Sequence, residues 1–325
     1  HRDLHSFPTR RSSDLNRKIV DSEAFTGPPN RIFEEHPNSL KAQGDYFFTQ
    51  GINRFSFHAF VHDPYNKPPG LGLGTYGSRF DSRNTWWPFA GAWLDYIARC
   101  QYLLQQGSFV ADLLYYTGED APQEAKSREE LVPQPPHGFQ YDFCTREILE
   151  QITVHDGRLV LPGGMSYRVL VLPNVQHMLP ETFVIIEKFI AKGAVVVGPR
   201  PALVPGQDTA GDQEAGLKEL ATRVWGNCDG ESVTSYSYGK GKVYWGESLE
   251  SVFSEIRLPA DFSFYISENK DFGTTQYPGN GVEFIHRKVG ETDLYFISNQ
   301  HHQPKTVEAT FRIETLLRRL ISRPS

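Results

Sequence analysis

Glu23 falls at the C-terminal end of Lys18-Ile-Val-Asp-Ser-Glu-Ala-Phe25, which reads as a short buried strand stopped by the turn Gly27-Pro-Pro-Asn30. The C-terminal ends of strands carry the catalytic groups in α/β barrels. Glycoside hydrolysis uses two carboxyls flanking the scissile bond, one to protonate the leaving oxygen and one to activate water or attack. Glu23 can be one of the two, although its position also suits an ordinary exposed loop glutamate. Further on, Gly51-Ile-Asn-Arg-Phe-Ser-Phe-His-Ala-Phe-Val-His-Asp-Pro64 sets Asn53, Arg54, His58 and His62 along one strand and its exit. An amide and two imidazoles there suit hydrogen bonding to sugar hydroxyls while neighbouring rings stack on a pyranose. Either histidine alone equally suits a core position satisfied by backbone carbonyls. A His-x₃-His pair on a strand is too extended for the helical zinc motif, so no zinc is expected.

Gly72-Leu-Gly-Thr-Tyr-Gly77 has the G-x-G-x-x-G spacing of a dinucleotide site, but Lys67-Pro-Pro stands before it in place of a strand and no helix follows. Without them the glycines shape no phosphate-binding helix N-terminus. They read as a loop over a cleft, with Tyr76 available to a ligand. Trp86-Trp87 then opens a long helix, one ring turned inward and the other toward substrate.

These residues need positioning elements, and the apolar periodicity supplies them. A helix is expected over 37–48, a strand over 54–62 and a helix over 86–106, where Trp93, Leu94, Ile97, Ala98, Leu103 and Leu104 recur at helical spacing ahead of Gly107. The strand 109–116 follows. Next come a helix over 142–152, a strand over 167–172, a helix over 181–191, a strand over 194–198, a helix over 213–225 and a strand over 242–245. This alternation indicates a parallel sheet with helices on its faces. Runs 282–288 and 293–298 flank Gly290-Glu like a hairpin, and 307–313 reads as a further strand.

Composition narrows the function classes. The 325 residues carry a net charge of −6, too acidic to neutralise a run of phosphates, so nucleic acid is not an expected partner. No apolar run approaches the roughly 20 residues of a membrane span. Cys100, Cys144 and Cys228 are widely spaced and form neither a disulfide framework nor a metal motif. Aromatic residues make up 13% of the chain and crowd between Tyr46 and Tyr116, more than packing usually recruits, which points to a sugar cleft. Residues 1–15 lack the apolar core of a signal peptide. Ser6 to Leu15 match one reading frame of a common sequencing adapter, so this stretch is expected to be foreign to the gene; a disordered basic arm is the alternative. The run 316–325 ends without closing a domain.

Glu23-Ala-Phe-Thr26, Gly51-x-Asn-Arg-Phe with His58 and His62, Pro69-Gly70, Trp86-Trp87 and Tyr96-x-x-Arg-Cys-Gln-Tyr-Leu-Leu-Gln-Gln-Gly107 together resemble the glycoside hydrolase family 106 α-L-rhamnosidases. So do Tyr167-Arg-Val-Leu-Val-Leu-Pro173, Gly193-Ala and Gly198-Pro199. The resemblance implies a (β/α)₈ barrel, inverting hydrolysis of terminal α-L-rhamnosyl linkages by two glutamates, and calcium dependence. It implies the general-base role for Glu23, with the acid supplied from upstream, and a rhamnose-containing oligosaccharide or glycoside as ligand of Asn53, Arg54, His58, His62, Tyr76, Trp86 and Trp87. Asp63 departs from the glutamine of the family pattern. Once the adapter-like residues 1–15 are set aside, about 90 residues precede Gly107 where a whole barrel takes about 250. The expected layout is therefore an α/β chain: the C-terminal part of a barrel over 16–107, a flavodoxin-like parallel α/β domain over 108–260, and a truncated β-rich region, the start of a sandwich, over 261–325. A β-galactosidase with a similar barrel and flavodoxin-like domain, and a non-catalytic carbohydrate-binding protein, are the alternatives.

Overall fold

The computed structural model describes residues 18–313 apart from 28, 29, 32, 66, 69, 73, 122–124, 207–209, 267–280 and 302. The adapter-like residues 1–15 and the run 316–325 lie outside the described residues. The elements begin with β1 (Asp21–Ala24), α1 (Pro37–Thr49), β2 (Arg54–Phe57), a 3₁₀ turn (Trp87–Phe89) and α2 (Gly91–Leu104). Next come β3 (Ser108–Phe109), β4 (Leu113–Tyr116), β5 (Tyr141–Cys144), α3 (Arg146–Leu149), β6 (Thr153–His155), β7 (Arg158–Val160), β8 (Ser166–Tyr167) and β9 (Val169–Val171). The chain continues through α4 (Pro180–Ala191), β10 (Val195–Val197), α5 (Ala210–Trp225), β11 (Ser235–Tyr238), β12 (Gly241–Tyr244) and α6 (Leu249–Glu255). It closes with β13 (Phe262–Ile266), β14 (Val282–Val289), β15 (Thr292–Asn299) and β16 (Val307–Phe311). The described residues fall into two compact units, one within Ser108–Ser263 and Thr310–Arg312, the other within Arg17–Gly107 and Phe264–Ala309.

The first unit is a six-stranded sheet in the order β11-β12-β10-β9-β4-β5. Strands β5, β4, β9, β10 and β12 run parallel, and β11 is an antiparallel edge. Counted along the chain, the parallel strands follow the doubly wound order seen in flavodoxin. Strands β4, β9 and β10 are apolar without alternation because both faces are covered. Leu114, Tyr116, Leu170 and Val196 point into a core with Phe183, Ile186 and Trp225 from α4 and α5. Leu113, Tyr115, Val169 and Val197 point into another with Leu249, Val252 and Phe253 of α6.

The helix expected over 142–152 is here a correction. Tyr141–Cys144 is a fully buried strand and α3 covers only Arg146–Leu149. Its rings fill a sheet face, and the buried Asp142 accepts the Tyr167 hydroxyl at 2.9 Å, so tertiary packing overrides the local pattern. Asp156 and Gly157, both at positive φ, turn β6 into β7, the usual Asp-Gly hairpin chemistry.

In the second unit β1 pairs in parallel with β2, Asp21 opposite Arg54 through Ala24 opposite Phe57, and α1 makes the crossover. α1 starts at a capping box in which His36 Nδ1 accepts from Ser39 N and Ser39 Oγ accepts from His36 N. The strand expected to reach residue 62 stops at Phe57, and α2 begins only at Gly91, because Pro88 sits in the preceding 3₁₀ turn. Phe48 of α1 stacks on Phe55 at 4.6 Å and meets Phe296 of β15 edge-on at 5.8 Å. The buried Asp45 joins three elements: it accepts the Tyr96 hydroxyl of α2 at 2.7 Å, pairs with Lys41 and lies 3.5 Å from Ser298 Oγ of β15. Burial, then the Asp45 charge, pushes the Tyr96 hydroxyl pKa well above its ordinary value.

The end of α2 is fixed by the β14–β15 hairpin. Arg287, its pKa drawn down to about 10 by burial, donates to the carbonyls of Gln106 at 2.6 Å and Gly107 at 2.7 Å. Gly107 adopts φ +60°, and a Cβ there would overlap the Lys288 carbonyl. Gly107→Ala is accordingly expected to cost roughly 1–3 kcal/mol, as left-handed non-glycine residues do. The measurement is the urea midpoint, which should fall with little change in slope; an unaltered midpoint would show that the hairpin yields without cost.

Candidate functional site

Because β1 and β2 are parallel, both chains leave the pair at the same edge. Glu23, one residue before the end of β1, projects an exposed carboxylate there. After Ala24, Phe25 takes φ +64° with its side chain buried, an uncommon state for a bulky residue. The ring is wedged among Phe55, Phe57, Phe80 and Trp93 at centroid distances of 5.4, 5.7, 6.2 and 5.5 Å. The reversal brings Thr26 back so that its hydroxyl donates to Glu23 Oε1.

His58 prolongs the pairing, its N–H donating to the Ala24 carbonyl at 3.1 Å. The returning segment lies beside it: Ala59 N donates to Ser78 O at 2.9 Å and Ser78 N to His58 O at 3.0 Å. Gly77 permits this approach, since a Cβ on it would stand 2.5 Å from His58 Nδ1. Ser78 Oγ and the side chain of Glu35 border Gly27. Segments 23–27, 35, 58–59 and 77–80 thus converge at one edge.

Among the described residues, seven buried side-chain nitrogen or oxygen atoms lack a hydrogen-bond partner, and three of them, His58 Nδ1, Ser78 Oγ and Arg79 Nη2, belong to this convergence. Unsatisfied buried polar atoms are rare enough that such grouping marks a polar locus. Arg79 spends its other nitrogens on Asp81, at 2.9 Å from Nε, and on the Leu71 carbonyl.

The long loop after β2 is held by Asp63. Its carboxylate accepts from Leu71 N at 3.0 Å and Tyr65 N at 3.3 Å and pairs with Arg83. Desolvation alone would raise the Asp63 pKa, but the two amides and the Arg83 guanidinium hold it below the ordinary value. Asp63 is therefore a loop staple.

The expected ligand-contacting residues separate into two groups. His58, His62, Tyr76, Trp86 and Trp87 accompany Glu23 on the exit side or its adjoining loop. His62 and Tyr76 are exposed. Trp86 is half-buried, donating from Nε1 to Glu35 O at 2.9 Å and meeting Trp93 edge-on at 5.8 Å. Trp87, also half-buried, lies 5.9 Å from Trp86. Asn53 and Arg54 lie at the opposite end of the strand pair. The buried Asn53 amide accepts from Val20 N at 2.8 Å and donates to Lys18 O at 2.8 Å and Leu104 O at 3.3 Å. Arg54 pairs with Asp21 at 3.1 Å. We assign both to the scaffold. Glu35, overlooked in the sequence, joins the edge carboxylates; its place just before the Pro37 helix start was the available signal. Its Oε2 accepts from Ser39 Oγ at 2.6 Å.

Among the described residues no group of three or more His, Cys, Asp or Glu side chains could hold a metal. Asp63 and Asp81 are already neutralised by arginines, so these residues do not fit a calcium site. No helix among them is long and apolar enough to cross a membrane.

The α-L-rhamnosidase family profile, glycoside hydrolase family 106, matches residues 14–320. A curated protein of Formosa agariphila named "Putative beta-glucuronidase" is 35% identical over 295 residues, which are 91% of this chain and 23% of that protein. The solved structure of a rhamnosidase from Novosphingobium sp. PP1Y matches with TM-score 0.79 and 29% identity over 94% of this chain and 28% of that one. A family 42 β-galactosidase structure matches with TM-score 0.51 at 14% identity, covering 94% of this chain and 53% of that one, a likeness of fold alone. The chain spans about a quarter of the length of the first two relatives.

Two outcomes follow from the scaffold assignments. Asn53→Ala should lower unfolding free energy by about 1–3 kcal/mol, the usual loss when buried hydrogen-bonding groups are left unpaired, as read by urea denaturation. Asp63, with its folded pKa below 3.8, contributes fully above its unfolded value and loses that contribution as pH falls through the folded one. Asp63→Asn should open the 63–71 loop to limited proteolysis at neutral pH, where the unaltered chain resists; equal cleavage of both would refute the staple.

Proposed function

This chain belongs to glycoside hydrolase family 106, the α-L-rhamnosidases, and from that membership we propose that the whole protein hydrolyses terminal α-L-rhamnosyl linkages of glycans or glycosides with inversion. The observation that carries the reading is Glu23: a strand-end carboxylate with one oxygen held by Thr26 and the other without a partner among the described residues. In this reading Glu23 is the general base. Its unclaimed oxygen takes a proton from water as that water attacks the anomeric carbon on the face opposite the leaving group. Inversion places the two carboxyls about 6.5–9.5 Å apart to leave room for the water. The acid comes from outside these residues, because Asp63 and Asp81 are bound to arginines and Glu35 is bound at the α1 cap.

The pairing of β1, α1 and β2 fits one repeat of a (β/α)₈ barrel, with Glu23 at the catalytic face of such a fold. Any calcium that the family resemblance implies is proposed to lie on other parts of the protein.

The relative's β-glucuronidase name favours a second reading, a uronate substrate. A uronate carboxylate calls for an unpaired cation in the site. Arg79 and Arg83, two guanidiniums of the loop beside this edge, have their charges matched by Asp81 and Asp63, which supports a neutral sugar.

With the intact protein, an aryl α-L-rhamnoside should be turned over while the aryl β-D-glucuronide and β-D-galactoside stay inert, and proton NMR should show the inverted anomer first. Glu23→Gln should reduce kcat by roughly 10²- to 10⁴-fold, the usual weight of a general base. The 325-residue chain alone should show no turnover. Glucuronide hydrolysis in place of rhamnoside hydrolysis would select the second reading, and turnover by the isolated chain would overturn the need for an outside acid.

A further inference from the structure

We propose that Thr26 is a positioning residue that fixes the Glu23 carboxylate for catalysis, an inference that rests on the general-base reading of Glu23. The strand could have continued straight past Ala24, and Thr26 would then have pointed away from Glu23. It does not, because Phe25 occupies the left-handed region at φ +64°. Such a conformation in a bulky residue persists only where the surroundings over-determine it, and it is concentrated at functional sites. Here the surroundings are visible. Four aromatic rings hold the Phe25 side chain, and Gly44 of α1 makes room for it, since a Cβ there would stand 3.2 Å from Phe25 Cζ. The backbone reversal is thereby anchored in the core of the unit and delivers an exposed threonine beside an exposed glutamate.

The resulting hydrogen bond has a direction that matters. Thr26 donates its single hydroxyl proton to Glu23 Oε1, and Oε2 has no partner among the described residues. A free glutamate on a strand end samples several rotamers, whereas a base must present one lone pair to one water. Threonine is suited to the task because branching at Cβ restricts χ1. Thr26 touches no reacting atom in this account; it acts through Glu23.

The test uses the intact protein and four forms: unaltered, Thr26→Val, Thr26→Ser and Glu23→Gln. Thr26→Val keeps the shape and removes the donor; Thr26→Ser keeps the donor. The expected result is a fall in kcat on the order of 10-fold for Thr26→Val, the effect of a misplaced catalytic group, with KM and Tm essentially unchanged, and recovery of kcat in Thr26→Ser. Unaltered kcat in Thr26→Val, or a Thr26→Ser enzyme as impaired as Thr26→Val, overturns the proposal while leaving Glu23 as base. A Glu23→Gln enzyme with full activity overturns both the base assignment and the role of Thr26. A Thr26→Val loss that appears in KM or Tm in place of kcat assigns the residue to binding or folding and overturns the proposal.

Discussion

The parallel pairing of β1 with β2 is the constraint from which the rest of this unit follows. Parallel neighbours cannot be joined by a tight turn, so α1 must cross over, and the register then decides where each side chain emerges. The starting end is fixed by Asn53, whose amide ties the backbone before β1 to the end of α2. The finishing end is fixed by the rings around Phe25. One end is thus held by hydrogen bonds and the other by packing. With both in place, Glu23, His58 and the returning segment 77–80 have little freedom in where they meet. A one-residue slip would exchange Glu23 for a core position, which the burial of Ala24 and Phe25 opposes.

The aromatic content between Tyr46 and Tyr116 points in sequence to a sugar cleft, but in the structure the rings divide between the interior and an exposed loop. Phe48, Phe55, Phe57, Phe80 and Trp93 belong to the interior stack beneath the site. Phe60, Tyr65 and Tyr76 remain exposed on the loop after β2. Composition counts rings without knowing which face they take. The stack needs close ring packing, which contributes energy beyond area burial, and this interior group underlies the edge where Glu23 emerges.

Much of the architecture was legible because helical periodicity is a strong signal: α1, α2, α4 and α5 stand close to where the apolar spacing put them, and the hairpin of β14 and β15 turns at Gly290 as expected. The segment Tyr141–Cys144 was not, because four residues carry no period long enough to separate helix from strand, and only its neighbours β4 and Tyr167 settle the matter. Asn53 is hard to place in sequence for a related reason. An amide near a strand looks the same in sequence whether it meets a ligand or three backbone groups, and the end of the strand on which it stands decides. The Glu23–Thr26 bond was hidden too, since a three-residue separation along an extended chain puts side chains far apart. Only the left-handed Phe25 brings them together.

The charges around the edge follow the same logic of long-range pairing. Asp63 and Arg83, like Arg79 and Asp81, are matched pairs whose side chains are largely buried, and a buried charge without a partner is costly. The charge of each arginine is thereby matched within the loop that carries it, while Arg79 Nη2 keeps no hydrogen-bond partner. Glu23 differs because its side chain is exposed and only one of its oxygens is engaged, by Thr26. The loop thus satisfies its own ions beside a strand whose end leaves one carboxylate oxygen open.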